Sequence, residues 1–122
     1  MNGNLNDTTS IYLQIASMLE DNILRGILLE EEQAPSTNEL AKQLSVNPAT
    51  AAKGLNLLVD EGILYKKRGI GMFVAQGSRQ KIVAKRKEGF FETYVKGLVN
   101  EAKTLAISKE ELVAMIEQAE QA

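Results

Sequence analysis

The sequence predicts a mainly α-helical chain with one small β-hairpin. Three observations carry that expectation. Apolar residues recur at helical spacing from Ile11 to Ile23. Capping residues delimit two short helices and a tight turn between Ser36 and Gly62. Gly69-Ile70-Gly71 then separates two short runs that suit strands. A helix, a helix-turn-helix and a hairpin in that order form a winged helix-turn-helix, here followed by a short two-helix C-terminal tail. The expected divisions are a loose polar leader over 1–9, the winged domain over 10–76 and a helical tail over 77–122.

Composition sets the outer limits. A chain of 122 residues suffices for one well-formed core with a small appendage. Hydrophobic residues at 44% and charged residues at 25% are the balance of a folded chain, not a disordered one. Cysteine is absent, which excludes a disulfide framework and a thiolate metal site. Histidine is absent too, removing the commonest zinc ligand and general base. No catalytic centre, metal or cofactor is therefore expected. No apolar run approaches the roughly 20 residues that cross a bilayer, so neither a span nor a signal peptide is expected, and the cytoplasm is the default.

Taken alone, the net charge of −2 and pI near 5.2 argue against a nucleic-acid partner. The distribution argues for one. Lys66, Lys67, Arg68, Arg79, Lys81, Lys85, Arg86 and Lys87 follow one another with no acidic residue among them. Phosphates respond to the local field, because salt screens charges beyond about 8–10 Å.

Each element has its own justification. Ser10 is the expected N-cap of a supporting helix whose stripe is Ile11, Ile15, Met18, Leu19 and Ile23, with Gly26 as its stop. Glu30, Glu31 and Glu32 form a charge run in the next connection, and such runs are ordinarily solvated. Ser36-Thr37-Asn38-Glu39 fits a capping box, with Pro35 barring helix from the preceding segment. The helix it opens turns Leu40, Ala41 and Leu44 inward, and Leu44-Ser45-Val46 makes the turn. Asn47-Pro48 opens the next helix, since asparagine caps well and proline loses no hydrogen bond at the first position. Its inward face is Ala51, Leu55 and Leu58; its outward face is Ala49, Thr50, Lys53 and Asn56, with nothing negative before Asp60. Gly54 costs about 1 kcal/mol against alanine there, which close packing against the partner helix would explain.

Residues 63–68 and 72–75 are the expected strands, with Gly69 and Gly71 supplying the positive φ a tight hairpin needs. Gln76-Gly77-Ser78 reads as a hinge. A long helix is expected from Arg79 to about Lys103, carrying Ile82, Val83, Phe90, Phe91, Tyr94, Leu98 and Val99. A second capping box, Ser108 to Glu111, opens a last helix with Leu112, Met115 and Ile116. Alone, this tail buries too little surface to be stable. Its apolar set must pack against the body of its own chain or the same tail of a second chain.

The candidate site follows from the winged arrangement. The helix opened by Pro48 enters a major groove of double-stranded DNA with Asn47, Ala49 and Thr50 nearest the bases. Ser36, Asn38 and Lys53 hold phosphates, helped by the helix N-termini. The wing contributes Lys66, Lys67, Arg68, Gly69 and Gly71 along the backbone, its tip at the minor groove. Ser36 and Asn47 are caps, and Gly69 and Gly71 are turn residues, whatever the function, so both roles stand for them. Two heads related by a two-fold axis would read a palindromic operator.

These residues resemble a known group. Ile11-Tyr12-Leu13-Gln14-Ile15, Pro35-Ser36 with Glu39-Leu40-Ala41, Val46-Asn47-Pro48-Ala49-Thr50 and Gly69-Ile70-Gly71-Met72-Phe73-Val74 look like the GntR family of bacterial transcription regulators. Asn47-Pro48 and the short tail are similar to its YtrA-like subfamily, and the resemblance spans roughly 10–122. It implies a winged helix-turn-helix, a homodimer joined through the tail (Phe90, Phe91, Tyr94, Leu98, Leu112, Met115, Ile116) and repression of an operon, often one encoding an ABC transporter. Three departures stand out. Ala34 replaces the usual leucine, and Glu30-Glu31 replaces a proline-glycine turn. Asn38 stands where the family commonly has a DNA-contacting arginine, and asparagine lacks the bidentate guanine contact. The rival readings are a winged protein–protein interaction module and a membrane-surface role for residues 79–87. The sequence names neither operator nor effector, and the tail is too small for a metabolite pocket of the usual 300–1,000 Å³ or so.

Overall fold

The structure, a computed structural model, describes residues 8–122 and divides into two compact units, the first ending at Ala84 and the second beginning at Lys85. Most of the expected leader lies outside the described residues. Helix α1 spans Thr8–Leu24, so Ser10 is inside the helix and not its cap. No glycine or proline interrupts the run after Thr8, and the helix extends ahead of its apolar stripe. Ile15, Leu19 and Ile23 are buried along it, with Ile11 and Met18 packed at the margin. Gly26 ends the run at φ +76°, in the left-handed region that glycine tolerates.

Helix α2 is Thr37–Leu44, and the capping box forms as its spacing requires. Glu39 N–H donates to Ser36 Oγ at 3.1 Å, and Ser36 N–H donates to Glu39 Oε1 at 2.8 Å. These bonds, the backbone one foremost, hold the Glu39 carboxyl below its ordinary range. Ser45 makes the turn at φ 54°, and Val46 N–H returns to Ala41 O at 3.0 Å. Helix α3 is Pro48–Asp60, capped by Asn47 Oδ1, which accepts from Ala49 N–H at 2.8 Å. Ala51, Leu55 and Leu58 are fully buried against Leu19, Leu40, Ile63, Leu64, Val74 and Ile82.

Gly54 is where α3 crosses α1. A Cβ there would lie 3.0 Å from Ile15 Cγ2 and 3.1 Å from the Tyr12 carbonyl oxygen. The absent side chain lets the two helices approach.

Strands β1 (Leu64–Lys67) and β2 (Gly71–Val74) pair antiparallel, with Tyr65 opposite Phe73 and Lys67 opposite Gly71. The glutamate run is not merely solvated. It lies along β2 as a third short stretch, through Glu31 N–H to Val74 O at 2.7 Å, Val74 N–H to Glu32 O at 2.9 Å and Ala34 N–H to Met72 O at 2.8 Å. Two residues, Glu31 and Glu32, oppose one, and Glu31 takes the bulge at φ 72°. The Tyr65 hydroxyl donates to Glu31 Oε2 at 2.7 Å.

Helix α4, Ser78–Phe90, begins inside the first unit, and its start is pinned. Glu30 Oε1 accepts from Gly77 N–H at 3.0 Å and Oε2 from Arg79 N–H at 3.2 Å. Those backbone donors lower the Glu30 carboxyl below its ordinary value. Ser78 and Ile82 are fully buried. The expected hinge at Gln76-Gly77-Ser78 is therefore a clamped corner, because a carboxylate from a distant loop satisfies the helix's free N–H groups.

The second unit continues α4 through a π-helical turn, Phe91–Val95, into α5, Lys96–Thr104. The single long helix of the sequence reading is thus interrupted, with Lys96 N–H reaching back five residues to Phe91 O. Ala106 at φ 57° reverses the chain, and the box Ser108–Glu111 opens α6, Lys109–Glu120. Ala102 is buried; Phe90, Phe91, Tyr94, Leu98, Met115 and Ile116 are exposed and Leu112 is half-buried.

Candidate nucleic-acid interface

The exposed strip of α3 is built by helical arithmetic. Ala49, Lys53, Asn56 and Asp60 recur at i, i+4, i+7 and i+11, and each is exposed, as are Asn47 and Pro48 at the helix start. Thr50 is not part of it. It precedes Gly54 by one turn and Leu58 by two, shares their inward stripe, and is only 6% exposed. Its placement at the groove is corrected, and the strip narrows to Asn47, Ala49, Lys53 and Asn56.

Lys53 is held in place. Its Nζ lies 5.0 Å from the Tyr12 ring centre, over the ring face, which favours a cation and restrains the long side chain. Ser36 and Asn38 are exposed at the first turn of α2. The positive end of that helix is shared with the Glu39 carboxylate of the capping box, so any phosphate there competes with an internal anion.

The wing sorts its cations by the alternation of a strand. Tyr65 and Lys67 share one face with Phe73, and Lys66 shares the other with Leu64, Met72 and Val74. Lys67 Nζ sits 4.3 Å from the Phe73 ring centre and 6.0 Å from that of Tyr65, whose rings stack at 6.0 Å. Lys66, Lys67, Arg68, Gly69 and Gly71 are all exposed. Gly69 has φ +77° and Gly71 φ +142°, so the hairpin needs both glycines on backbone grounds alone.

Two members of the basic run serve the fold instead. Arg79 Nη2 donates to Leu24 O at 3.2 Å, closing the end of α1, and Lys81 Nζ donates to Gly62 O at 3.2 Å, just past the end of α3. Cations at helix C-termini meet the negative end of the peptide dipoles. Two other contributors, Tyr12 beneath Lys53 and Gln33 beside the wing tip, have roles that no local sequence pattern signals. Among the described residues no cluster of carboxylates has the geometry of a metal site, and no helix is long and apolar enough to cross a membrane.

Comparison with known proteins is consistent with this geometry. Residues 11–74 match the profile described as bacterial regulatory proteins, gntR family. The chain is 30% identical over 105 residues to the HTH-type transcriptional repressor YtrA of Bacillus subtilis, covering 86% of this chain and 80% of that protein. A crystal structure of a GntR-family transcriptional regulator from Bacteroides thetaiotaomicron superposes with a TM-score of 0.73 at 38% identity, covering 91% of this chain and 96% of that one. The DNA-binding domain of AraR, solved in complex with operator ORX1, matches at a TM-score of 0.51 and 35% identity, covering 53% of this chain and 78% of that one.

Proposed function

Because this chain belongs to the GntR family of bacterial regulatory proteins, a family of DNA-binding transcription regulators and not of enzymes, we propose that it is a homodimeric repressor acting on a palindromic operator in the cytoplasm. Helix α3 enters the major groove, with Asn47, Ala49 and Asn56 toward base edges and Lys53 toward a phosphate. Ser36 and Asn38 approach the backbone from α2, and Lys66, Lys67 and Arg68 line the wing. The observation that carries this reading is one surface strip free of acidic residues from Asn47 to Asn56, in the same compact unit as the cationic hairpin.

The apolar faces of the second unit support the dimer. Phe90, Phe91, Tyr94, Leu98, Met115 and Ile116 are each at least 45% exposed, and the Phe90 and Tyr94 rings meet at a tilt with centres 5.1 Å apart. A patch of this kind marks an association surface. A second copy of the same tail matches it by symmetry.

Selection from random duplexes with the full chain tests the reading. An inverted repeat with half-sites about one helical turn apart is the expected consensus, bound by a species that sediments as a dimer. Alanine at Lys66, Lys67 or Lys53 should lower the salt slope by about one counterion each and weaken all sequences alike. A direct-repeat consensus bound by a monomer would overturn the dimer, and unchanged slopes would overturn the wing.

A further inference from the structure

We propose that Ile70 determines specificity by pressing an apolar side chain against the floor of the minor groove, selecting A·T over G·C where the wing lands, and that Gln33 positions it. The proposal rests on the DNA-binding reading and adds to it a base preference with a stated atomic cause.

Ile70 is the most exposed large hydrophobic residue among those described, at 64%, and it is the last residue of the hairpin loop Arg68-Gly69-Ile70. Exposing a branched aliphatic side chain there brings the free protein no packing. Turn chemistry favours glycine, proline, asparagine, aspartate and serine, so it is not what selects a β-branched residue in this loop. Its neighbours Lys66, Lys67 and Arg68 surround one apolar point with positive charge. That combination suits a narrow A·T-rich minor groove, whose negative potential attracts cations and whose floor accepts apolar side chains.

The tip is also braced. Gln33 Nε2 donates to the Ile70 carbonyl oxygen at 3.0 Å, reaching across from the stretch that pairs with β2. Ile70 N–H closes the turn onto Lys67 O at 3.0 Å. The brace passes over Gly71, where a Cβ would lie 2.6 Å from Gln33 Nε2, so glycine at 71 makes room for the strut as well as for the turn. A tip held from a second strand arrives at its target with its direction already set, which a mobile loop does not.

The chemistry then fixes the base. An A·T pair presents only acceptors on the minor-groove floor, adenine N3 and thymine O2, whereas a G·C pair adds the guanine 2-amino group. An isoleucine methyl seated there meets that amino group sterically and leaves its N–H without an acceptor. The side chain reads the absence of a donor.

Inosine provides the test, because an I·C pair keeps the major-groove face of G·C and lacks the 2-amino group. Each position of the selected operator is replaced in turn by G·C and by I·C, and affinity is measured with the full-length chain. At the wing-contact position, G·C should weaken binding about tenfold, and I·C should restore it. Ile70→Ala should erase this difference while leaving the salt slope intact. Gln33→Leu, which keeps size but loses the donor, should shrink the difference with Ile70 still present, and circular dichroism checks that both variants fold. I·C pairs as unfavourable as G·C throughout, or an Ile70→Ala variant that still discriminates, would overturn the proposal and leave the regulator reading untouched. A chain that selects no duplex at low salt would overturn both.

Discussion

At the scale of single residues, the reading surface depends on side chains that already have a structural task. Asn47 caps α3 through Ala49 N–H and stands exposed at the helix start. Asn47→Ala should cost about 1 kcal/mol in urea unfolding, as loss of an N-cap does. Asn47→Asp preserves the cap and adds a negative charge, so it should keep the unfolding midpoint and weaken operator binding at least tenfold. Undiminished binding by the aspartate variant would reduce Asn47 to a purely structural residue. Ser36 and Asn47 were legible because a cap acts on residues two or three positions ahead. Thr50 was misplaced, since one position of helical phase separates the strip from the core. Tyr12 and Gln33 were invisible, because their partners Lys53 and Ile70 lie far along the chain and no local pattern relates them.

At the scale of elements, the helix-turn-helix and the hairpin were legible, since caps, turns and apolar spacing all act locally. The connection between α1 and α2 was not. Its three glutamates look like a solvated run, and the partners that give Glu30 a role lie 47 and 49 residues away. The π-helical turn escaped for another reason: Phe-Glu-Thr-Tyr-Val over 91–95 contains no residue type that marks an extra bond. Gly54 shows how an element's neighbour decides the sign of a substitution. In an exposed helix Gly54→Ala would stabilise by about 1 kcal/mol. Here the new methyl meets Ile15 and the Tyr12 carbonyl oxygen, so α1 and α3 must part by a few tenths of an ångström. The expected outcome is a net loss of about 1–2 kcal/mol in denaturant unfolding. A more stable alanine variant would mean that the crossing is looser than its geometry states.

At the scale of the whole molecule, an acidic chain carries a basic wing because its charges are segregated along the sequence, with no acidic residue between Lys66 and Lys87, while several carboxylates serve the fold. Glu30 caps α4, Glu31 anchors Tyr65, and Glu39 and Glu111 complete capping boxes. Net charge therefore says little about partners in this protein, whereas the sign of each local surface says much. The expected division at residue 76 was drawn at the glycine, the usual punctuation between domains. The first compact unit instead runs on through Ala84.

That extension has a practical consequence for anyone isolating the head. A fragment stopped at residue 76 discards Ile82, a fully buried member of the core, and strips Arg79 and Lys81 from the ends of α1 and α3. Such a piece should precipitate or melt at least 10 °C below one stopped at Ala84, a gap readily measured by differential scanning fluorimetry. Equal melting of the two pieces would show that the first turns of α4 are a passenger. The expected gap would make those turns the keystone of a minimal, separately usable DNA reader.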